Sequence, residues 1–441
     1  MKNTRHKAVA AEPAAPIEVR AEKLVYGPDA LAHYDNRAVF VPFLLPGELA
    51  RVRPIEQKKK FIRGRIEQIL EPSPERIPAP CPHFGVCGGC NYQHLEYSAQ
   101  LRAKADILRE TLGRIGHIRW EGPIDAKSFP QFGYRNRVQW KIRRIGGRLR
   151  IGYFEAGSQT LCPVGTCPIV SPLLERTLVR IAGLLDAGDK LKEVDEIEAF
   201  ADGEDRRLLL NCSVSRLPQG GALAEALRGA LPEAESLLFV EPTEGKMALD
   251  GPGHLMYTVG EHAYRVGHLS FFQVNRFALD AVVSLVCGDR HGKLALDLYA
   301  GVGLFSRPLA RQFERVIAVE SNPAAARDLE FNLHESGGAS PTSRLSSAEV
   351  FLERWHDEPD LVVLDPPRAG VAQTALRQLR KLAPREIVYL SCDPPTMARD
   401  LALLAAEDET AAKYQIRDVN LIDIFPQTYH MEALVRLERR A

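Results

Sequence analysis

The rhythm of hydrophobic and polar positions changes along the chain. From about residue 16 to 73 the short stretches IEVRAEKLVY, RAVFVPFLL, ELARVRPIEQ and KFIRGRIEQIL are separated by turn signals such as Tyr26-Gly27-Pro28-Asp29 and Leu45-Pro46-Gly47. Stretches of that kind bounded by Gly and Pro predict strands, and several in so short a span predict a small barrel of the oligonucleotide-binding kind. Glu71 to Pro80, EPSPERIPAP, is too rich in proline for a sheet or helix and reads as a linker. YSAQLRAKADILRETL, from Tyr97 to Leu112, has amphipathic helical spacing. Between about 126 and 262, strand-like YRNRVQWKIRR, RLRIGYFE, RRLLLNCSV and SLLFVEP mix with at least one helix. After about residue 263 the short apolar runs LALDLYA, RVIAVES, LVVLDPP and EIVYLSC alternate with helical stretches. That alternation predicts a mostly parallel sheet wrapped by helices. Three domains are therefore expected: a barrel at 16–73, a central α+β domain at 74–262, and an α/β domain at 263–441. The helical segment at 93–125 is able to pack on the last of these.

Bulk properties narrow the class. A chain of 441 residues exceeds one ordinary core, and 45% hydrophobic with 26% charged residues describes a soluble globular protein. No apolar run reaches the roughly 18 residues of a membrane span. The N-terminal MKNTRHKAVAAEPAAP has no apolar core of a signal peptide and reads as a short disordered tail. A cytoplasmic location is expected, with no membrane and no obligate protein partner. Lys plus Arg and Asp plus Glu both number 57, so the formal net charge is +0 and announces no polyanion partner. Locally, Arg51 to Arg65 holds seven basic residues against one Glu, and Lys141 to Arg150 holds five and no acid. Such clusters suit phosphate contacts, which give affinity without sequence information; for either patch alone a solvated strand face is an equal reading.

The α/β region carries chemistry at its strand ends. LALDLYAGVGLFS turns from a strand through Ala300-Gly301-Val302-Gly303, where glycines let backbone approach a ligand before the next helix. Nineteen residues after Gly301, RVIAVES ends in Glu320, placed to accept from both ribose hydroxyls of a nucleoside. Ser306 stands where a dinucleotide fingerprint has its third glycine, so the pocket resembles that of S-adenosylmethionine more than a nicotinamide site. Gly-x-Gly alone is weak; LVVLDPPR, with Asp365-Pro366-Pro367 at a third strand end, makes a methyltransferase the leading reading.

In YLSCDPPTMARD an apolar strand stops at Cys392, at the same sheet edge. A free Cys is more often packed and inert, but a partly open thiol near Arg368 or Arg399 would lose its proton more readily. Carbon 5 of uracil is a poor nucleophile; a thiolate adding to carbon 6 activates it, and a base must then remove the carbon-5 proton. DIFPQTYHMEALVRLER offers Glu432 as that base, with His430 as a rival that spacing does not exclude.

Of eight cysteines, Cys81, Cys87 and Cys90 fall within CPHFGVCGGC, without a secretory signal. Three thiols on a Gly-rich loop suit a metal in a reducing cytosol. A structural zinc, which wants four ligands, and an iron–sulfur cluster both remain open. His83 can supplement the three, and either Cys162 or Cys167 in LCPVGTCPIV can supply a distant fourth. Cys212 and Cys287 read as packed core residues.

SFFQVN (Ser270 to Asn275), DLYAGVGLFS, VVLDPPRAG, YLSCDPPTMARD and FPQTYHMEALVRLER resemble, in order and spacing, the motifs of the RNA uracil-5-methyltransferases, over about residues 16 to 441. The resemblance implies a Rossmann-like α/β methyltransferase domain with an N-terminal OB-like TRAM β-barrel and a central α+β domain. It implies Cys392 as nucleophile, Glu432 as proton-abstracting base, Gln273, Tyr299, Glu320 and Asp365 as cofactor or active-site contacts, and Phe271 near a flipped base. Ala300 stands where many members carry Cys, and Leu304 where many carry a cofactor-contacting Asn, so no such contact is assigned there. CPHFGVCGGC is similar to the iron–sulfur site of the ribosomal-RNA members. CPIVSPLLER is similar to their fourth-ligand segment, which implies a [4Fe-4S] cluster on Cys81, Cys87, Cys90 and Cys167. Barrel plus cluster point to members acting on 23S ribosomal RNA: transfer of a methyl group from S-adenosylmethionine to carbon 5 of a specific uridine through a Cys adduct. The rivals are the same chemistry on transfer RNA and a metal-braced RNA-binding protein without catalysis.

Overall fold

The computed structural model describes residues 15–218, 220–335, 341–406 and 414–440; the expected N-terminal tail lies, up to residue 14, outside them. Five strands, Ile17–Leu24, Asp29–Tyr34, Arg37–Pro42, Leu49–Gln57 and Phe61–Glu71, close the N-terminal barrel. Alternate side chains such as Val19, Ala21, Val39, Val41, Ala50 and Val52 fill it, as a period of two requires. Asp29–Tyr34 is a strand where the sequence signalled only the turn before it. The two longest strands cross so closely at Gly64 that a Cβ there would lie 2.2 Å from Val52 Cγ1. Buried Glu48 accepts from Arg76 Nε at 2.5 Å and Nη2 at 2.7 Å, tying the barrel to the proline-rich segment.

The central sheet has seven strands in the order Lys246–Asp250, Ala234–Glu241, Leu208–Val214, Val194–Ala201, Arg137–Ile145, Arg148–Phe154, Leu161–Pro163. Helices Pro172–Asp186 and Ala222–Ala230 share its apolar core. Both basic runs are less bare than their composition suggests. Lys141 pairs with Glu196, Arg150 with Asp186, Arg51 with Glu18 and Arg53 with Glu67. The exposed pairs among these, Arg51–Glu18 and Arg150–Asp186, hold little energy.

The C-terminal sheet runs Thr342–Leu345, Phe313–Glu320, Gly292–Leu298, Leu361–Leu364, Glu386–Ser391, Glu432–Arg439, Tyr414–Ile422, Ile124–Lys127. Its first five strands are mutually parallel, and Glu432–Arg439 is antiparallel to both neighbours. Strand order reverses between Gly292–Leu298 and Leu361–Leu364, and a crevice at such a reversal is where open α/β sheets bind ligands. The eighth strand, Ile124–Lys127, comes from the segment before the central sheet and pairs in parallel with Tyr414–Ile422. Helix Tyr97–Arg114 also leaves the central domain and packs on helix Pro394–Leu404. It carries Lys104, fully buried, whose Nζ lies 2.6 Å from Asp423 Oδ1 and donates to the Phe425 carbonyl at 3.1 Å. The architecture is thus a Rossmann-like α/β domain with an OB-like barrel and a central α+β domain. Among the described residues, no helix is long and apolar enough to cross a membrane.

Candidate active site

The carboxyl edge of the C-terminal sheet opens into a cavity of about 670 Å³. Gly292–Leu298 ends against its floor, and the chain turns there through Tyr299, Gly301 and Gly303, with φ of 64°, 56° and 90°. Glycine adopts such angles freely, but Tyr299 does so at a cost, a departure typical of residues held for function. A Cβ on Gly303 would sit 2.8 Å from Leu329 Cδ1. Beneath the turn, Asp297 is fully buried and accepts from the Ser306 hydroxyl. Burial pushes its carboxyl up to about 7. At the end of Phe313–Glu320, Glu320 accepts from the backbone N–H of Gly301 at 2.8 Å through one oxygen and of Asn322 at 2.6 Å through the other. Those bonds fix the carboxylate plane and leave lone pairs for further donors.

The opposite wall carries different chemistry. Asp365, at the end of Leu361–Leu364, accepts from Gln273 Nε2 at 3.5 Å. Glu432 opens strand Glu432–Arg439 and is 3% exposed. Burial raises both carboxyls, and each has a carboxylate neighbour that raises it further: Asp297 for Asp365, Asp365 for Glu432. Cys392 directly follows strand Glu386–Ser391 and precedes the N-cap Asp393 of helix Pro394–Leu404. Burial first, then the Glu432 carboxylate, push its thiol up to about 11, opposed by the charge and hydrogen bond of Arg368. The expectation of a thiol with a lowered pKa is therefore not met in the resting site. The Arg399 guanidinium is engaged elsewhere: it pairs with Asp400 at 2.7 Å and donates to the Ala369 carbonyl.

Gln273, Tyr299, Glu320, Asp365, Cys392 and Glu432 all line this one cavity, as does Phe271, which is 62% exposed at its rim. Leu304 also lines it as an apolar side chain, its backbone carbonyl accepting from Tyr264 Oη at 3.0 Å. His430 faces elsewhere, into the cysteine-lined cavity, and burial with the charges of Arg368, Lys104 and Arg135 lowers it to about 4. Sequence reasoning missed Glu349, which accepts from Tyr299 Oη at 3.4 Å within the cavity, and Arg135. Glu349 follows the edge strand Thr342–Leu345 by a few residues, a position that invited inspection. Arg135 carried no signal beyond its place in a basic segment.

Cys81, Cys87, Cys90 and Cys167 line a neighbouring cavity of about 350 Å³, and Cys162 is not among its lining residues. Arg135, Arg368 and Phe425 border both cavities. Gly88 lets the loop close on the central sheet, since a Cβ there would meet Ala156 Cα and the Phe154 carbonyl at 3.2 Å. Burial pushes the Cys87 thiol up to about 11 and the Cys90 thiol up to about 12, and in both the other cysteines add to the rise. Tyr153 Oη lies 3.8 Å from Cys167 Sγ. Among the described residues no three His, Cys, Asp or Glu are grouped as a single metal ion requires. Cys212 and Cys287 are buried core residues.

Comparison with known proteins identifies the family. Residues 255–440 match the model of the tRNA (Uracil-5-)-methyltransferase family. An uncharacterized RNA methyltransferase of Aquifex aeolicus is 34% identical, covering 96% of this chain and 98% of that one. The 23S rRNA (uracil(1939)-C(5))-methyltransferase RlmD of Alkalilimnicola ehrlichii is 30% identical over 97% of this chain and 98% of its own. The crystal structure of Pyrococcus abyssi tRNA (uracil-54, C5)-methyltransferase with S-adenosyl-L-homocysteine shares the fold, with a TM-score of 0.74 at 24% identity, over 96% of this chain and 100% of that one. The chain belongs to the RNA (uracil-5-)-methyltransferase family.

Proposed function

We propose that the protein methylates carbon 5 of a specific uridine in 23S ribosomal RNA, with Cys392 as nucleophile, Glu432 as base and S-adenosylmethionine as methyl donor. The observation that carries the reading is the single cavity in which a thiol, a buried carboxyl and a ribose-type carboxylate meet. S-adenosylmethionine supplies an electrophilic methyl group. Glu320 and the Gly301–Gly303 turn hold its nucleoside end, with Gln273, Tyr299 and Asp365 as further contacts. The uridine leaves its stack to enter, as chemistry on a base atom requires.

The Cys392 thiolate adds to carbon 6, and the displaced electron pair moves to carbon 5 and the carbon-4 oxygen. Carbon 5 takes the methyl group, and the breaking methyl–sulfonium bond would leave its electron pair on the donor's sulfur as neutral S-adenosylhomocysteine. Glu432 then accepts the carbon-5 proton, the pair returns to form the 5,6 double bond, and the carbon–sulfur bond breaks to release the thiolate. Glu432 must be ionised to act, and Asp365 must share the charge. A buried carboxyl pair of that kind gives Glu432 the elevated basicity that removal of a carbon-bound proton needs.

The four cysteines fit a [4Fe-4S] cluster: such a cluster is held by four thiolates, and Cys81, Cys87, Cys90 and Cys167 line one cavity. Bound there, the cluster would relieve the mutual repulsion of the thiolates and brace the loop. Methyl transfer moves no electrons overall, so the residues of the site need no redox partner.

The ribosomal substrate rests on the Alkalilimnicola ehrlichii relative; the matched family's description favours transfer RNA as the second reading. The test is tritium release from 23S ribosomal RNA and from transfer RNA, each carrying 5-tritiated uridine. Release from the ribosomal substrate, dependent on S-adenosylmethionine and lost in Cys392→Ala, is expected. Release from transfer RNA alone overturns the substrate, and release from neither overturns the reaction.

A further inference from the structure

We propose that Tyr26, in the first loop of the barrel, is a positioning residue of the methyl-transfer site: its hydroxyl holds Asp393 and, through it, the chain that presents Cys392. Tyr26 Oη donates to Asp393 Oδ2 at 3.1 Å. The other carboxylate oxygen of Asp393 accepts from Thr396 N at 3.0 Å and Thr396 Oγ1 at 2.8 Å, capping helix Pro394–Leu404. Asp393 N donates back to Ser391 Oγ at 3.1 Å, so the turn around Cys392 is braced on both sides. The Tyr26 ring meets Tyr429 edge-on, with centroids 6.0 Å apart and planes at 89°, three residues before Glu432. One barrel side chain therefore touches both segments that carry the chemistry. Tyr92 Oη lies 3.5 Å from the Gly27 carbonyl and supports the same loop from the other side.

Phenylalanine would keep the packing on Tyr429, so the hydroxyl itself serves Asp393. Burial raises the Tyr26 hydroxyl, and the nearby Asp393 carboxylate raises it further, so it remains a donor at every working pH. The groups that bear on Cys392 are the Glu432 and Asp365 carboxyls and the Arg368 guanidinium; Asp393 is its chain neighbour, and Tyr26 approaches from the barrel. By donating to Asp393, Tyr26 spreads a negative charge that otherwise falls on the forming thiolate. The barrel thereby contributes to thiol reactivity as well as to any grip on RNA.

The inference rests on Cys392 being the nucleophile, and its test separates the two. In the full-length protein, Tyr26→Phe, Asp393→Asn, the pair together, and Tyr92→Phe are compared. The readouts are kcat, KM for RNA, and the pH profile of Cys392 alkylation by iodoacetamide, followed on the isolated peptide. Asn is itself a good N-cap, so Asp393→Asn keeps the helix start. Tyr26→Phe should lower kcat about tenfold, the loss expected for one hydrogen bond to a charged group, with KM for RNA unchanged and the alkylation profile moved to higher pH. In the Asp393→Asn background the same change should move the profile no further, and Tyr92→Phe should leave it in place. A Tyr26→Phe protein with raised KM and unchanged kcat, or a shift that persists without the Asp393 charge, overturns the inference. A Cys392→Ala protein that still methylates overturns the reading beneath it instead.

Discussion

Replacing Lys104 by Met tests how the catalytic segment is held. Lys104 and Asp423 are both fully buried, 319 residues apart in sequence, and joined at 2.6 Å. Burial lowers the Lys104 pKa, and the Asp423 carboxylate opposes that shift. Methionine fills nearly the same volume but leaves the Asp423 carboxylate without its counter-charge and the Phe425 carbonyl without its donor. Removing one partner of a buried pair costs about 3–5 kcal/mol, whereas replacing both with apolar residues is often close to neutral. For a unit of this size that is a fall in Tm of about 6–20 °C, and Asp423→Leu alone should do comparable harm. The double change, Lys104→Met with Asp423→Leu, should recover most of it. The assay is calorimetry of the four proteins as a double-mutant cycle, with the transition of the C-terminal domain followed separately because a multidomain chain does not unfold in one step. Activity should track the cycle, because Asp423 precedes Phe425, which borders both cavities, and the strand opened by Glu432. Additive losses, with the double variant worse than either single one, would refute the reasoning.

Other outcomes follow from the same geometry. Glu432→Gln should lower turnover by about 10²–10⁴-fold while leaving a methylated covalent RNA–protein adduct, visible as a slow band on a denaturing gel. With the Cys392 thiol pushed up to about 11, the reactive thiolate is the minor form at neutrality. Since the shift is upward, alkylation of the free enzyme should speed up about tenfold per unit between roughly pH 7 and 9, and a plateau below pH 8 would contradict the site described. Gly303→Ala places a Cβ 2.8 Å from Leu329 Cδ1 at a φ of 90°. It should cost about 1–3 kcal/mol and raise the KM for S-adenosylmethionine more than that for RNA. On the proposed cluster assignment, anaerobic reconstitution with iron and sulfide should give visible iron–sulfur absorbance in the native protein and in Cys162→Ser, and none in Cys90→Ser or Cys167→Ser.

Strand ends were the legible part of this molecule. Tyr299, Glu320, Asp365 and Cys392 each follow an apolar run that the pattern places in one sheet, and a parallel sheet brings its carboxyl ends to one edge. Local regularity carried that much without knowledge of long-range contacts. The eighth strand, Ile124–Lys127, is four residues long, mostly exposed and paired with a segment almost 300 residues away, so no periodicity marked it. The same holds for Lys104 with Asp423 and for Tyr26 with Asp393, each an ordinary polar residue until the fold brings its partner near. Composition left one matter even: the basic runs suited phosphate contacts and solvated strand faces alike, and only the fold shows that Lys141, Arg150, Arg51 and Arg53 hold carboxylates of the protein itself. The direction of the Cys392 shift was also beyond the sequence, because it depends on burial and on Glu432 arriving from an antiparallel strand.

The most direct measurement is a trapping experiment with ribosomal RNA carrying 5-fluorouridine. Fluorine at carbon 5 cannot leave as a proton, so an enzyme that attacks carbon 6 and methylates carbon 5 stalls while still bonded to its substrate. In the presence of S-adenosylmethionine, a denaturation-resistant adduct should form with the native protein, map to the peptide containing Cys392, and be absent in Cys392→Ala. Turnover of uridine without any adduct on the fluorinated RNA, or an adduct that survives Cys392→Ala, would contradict the assignment of Cys392 as the nucleophile.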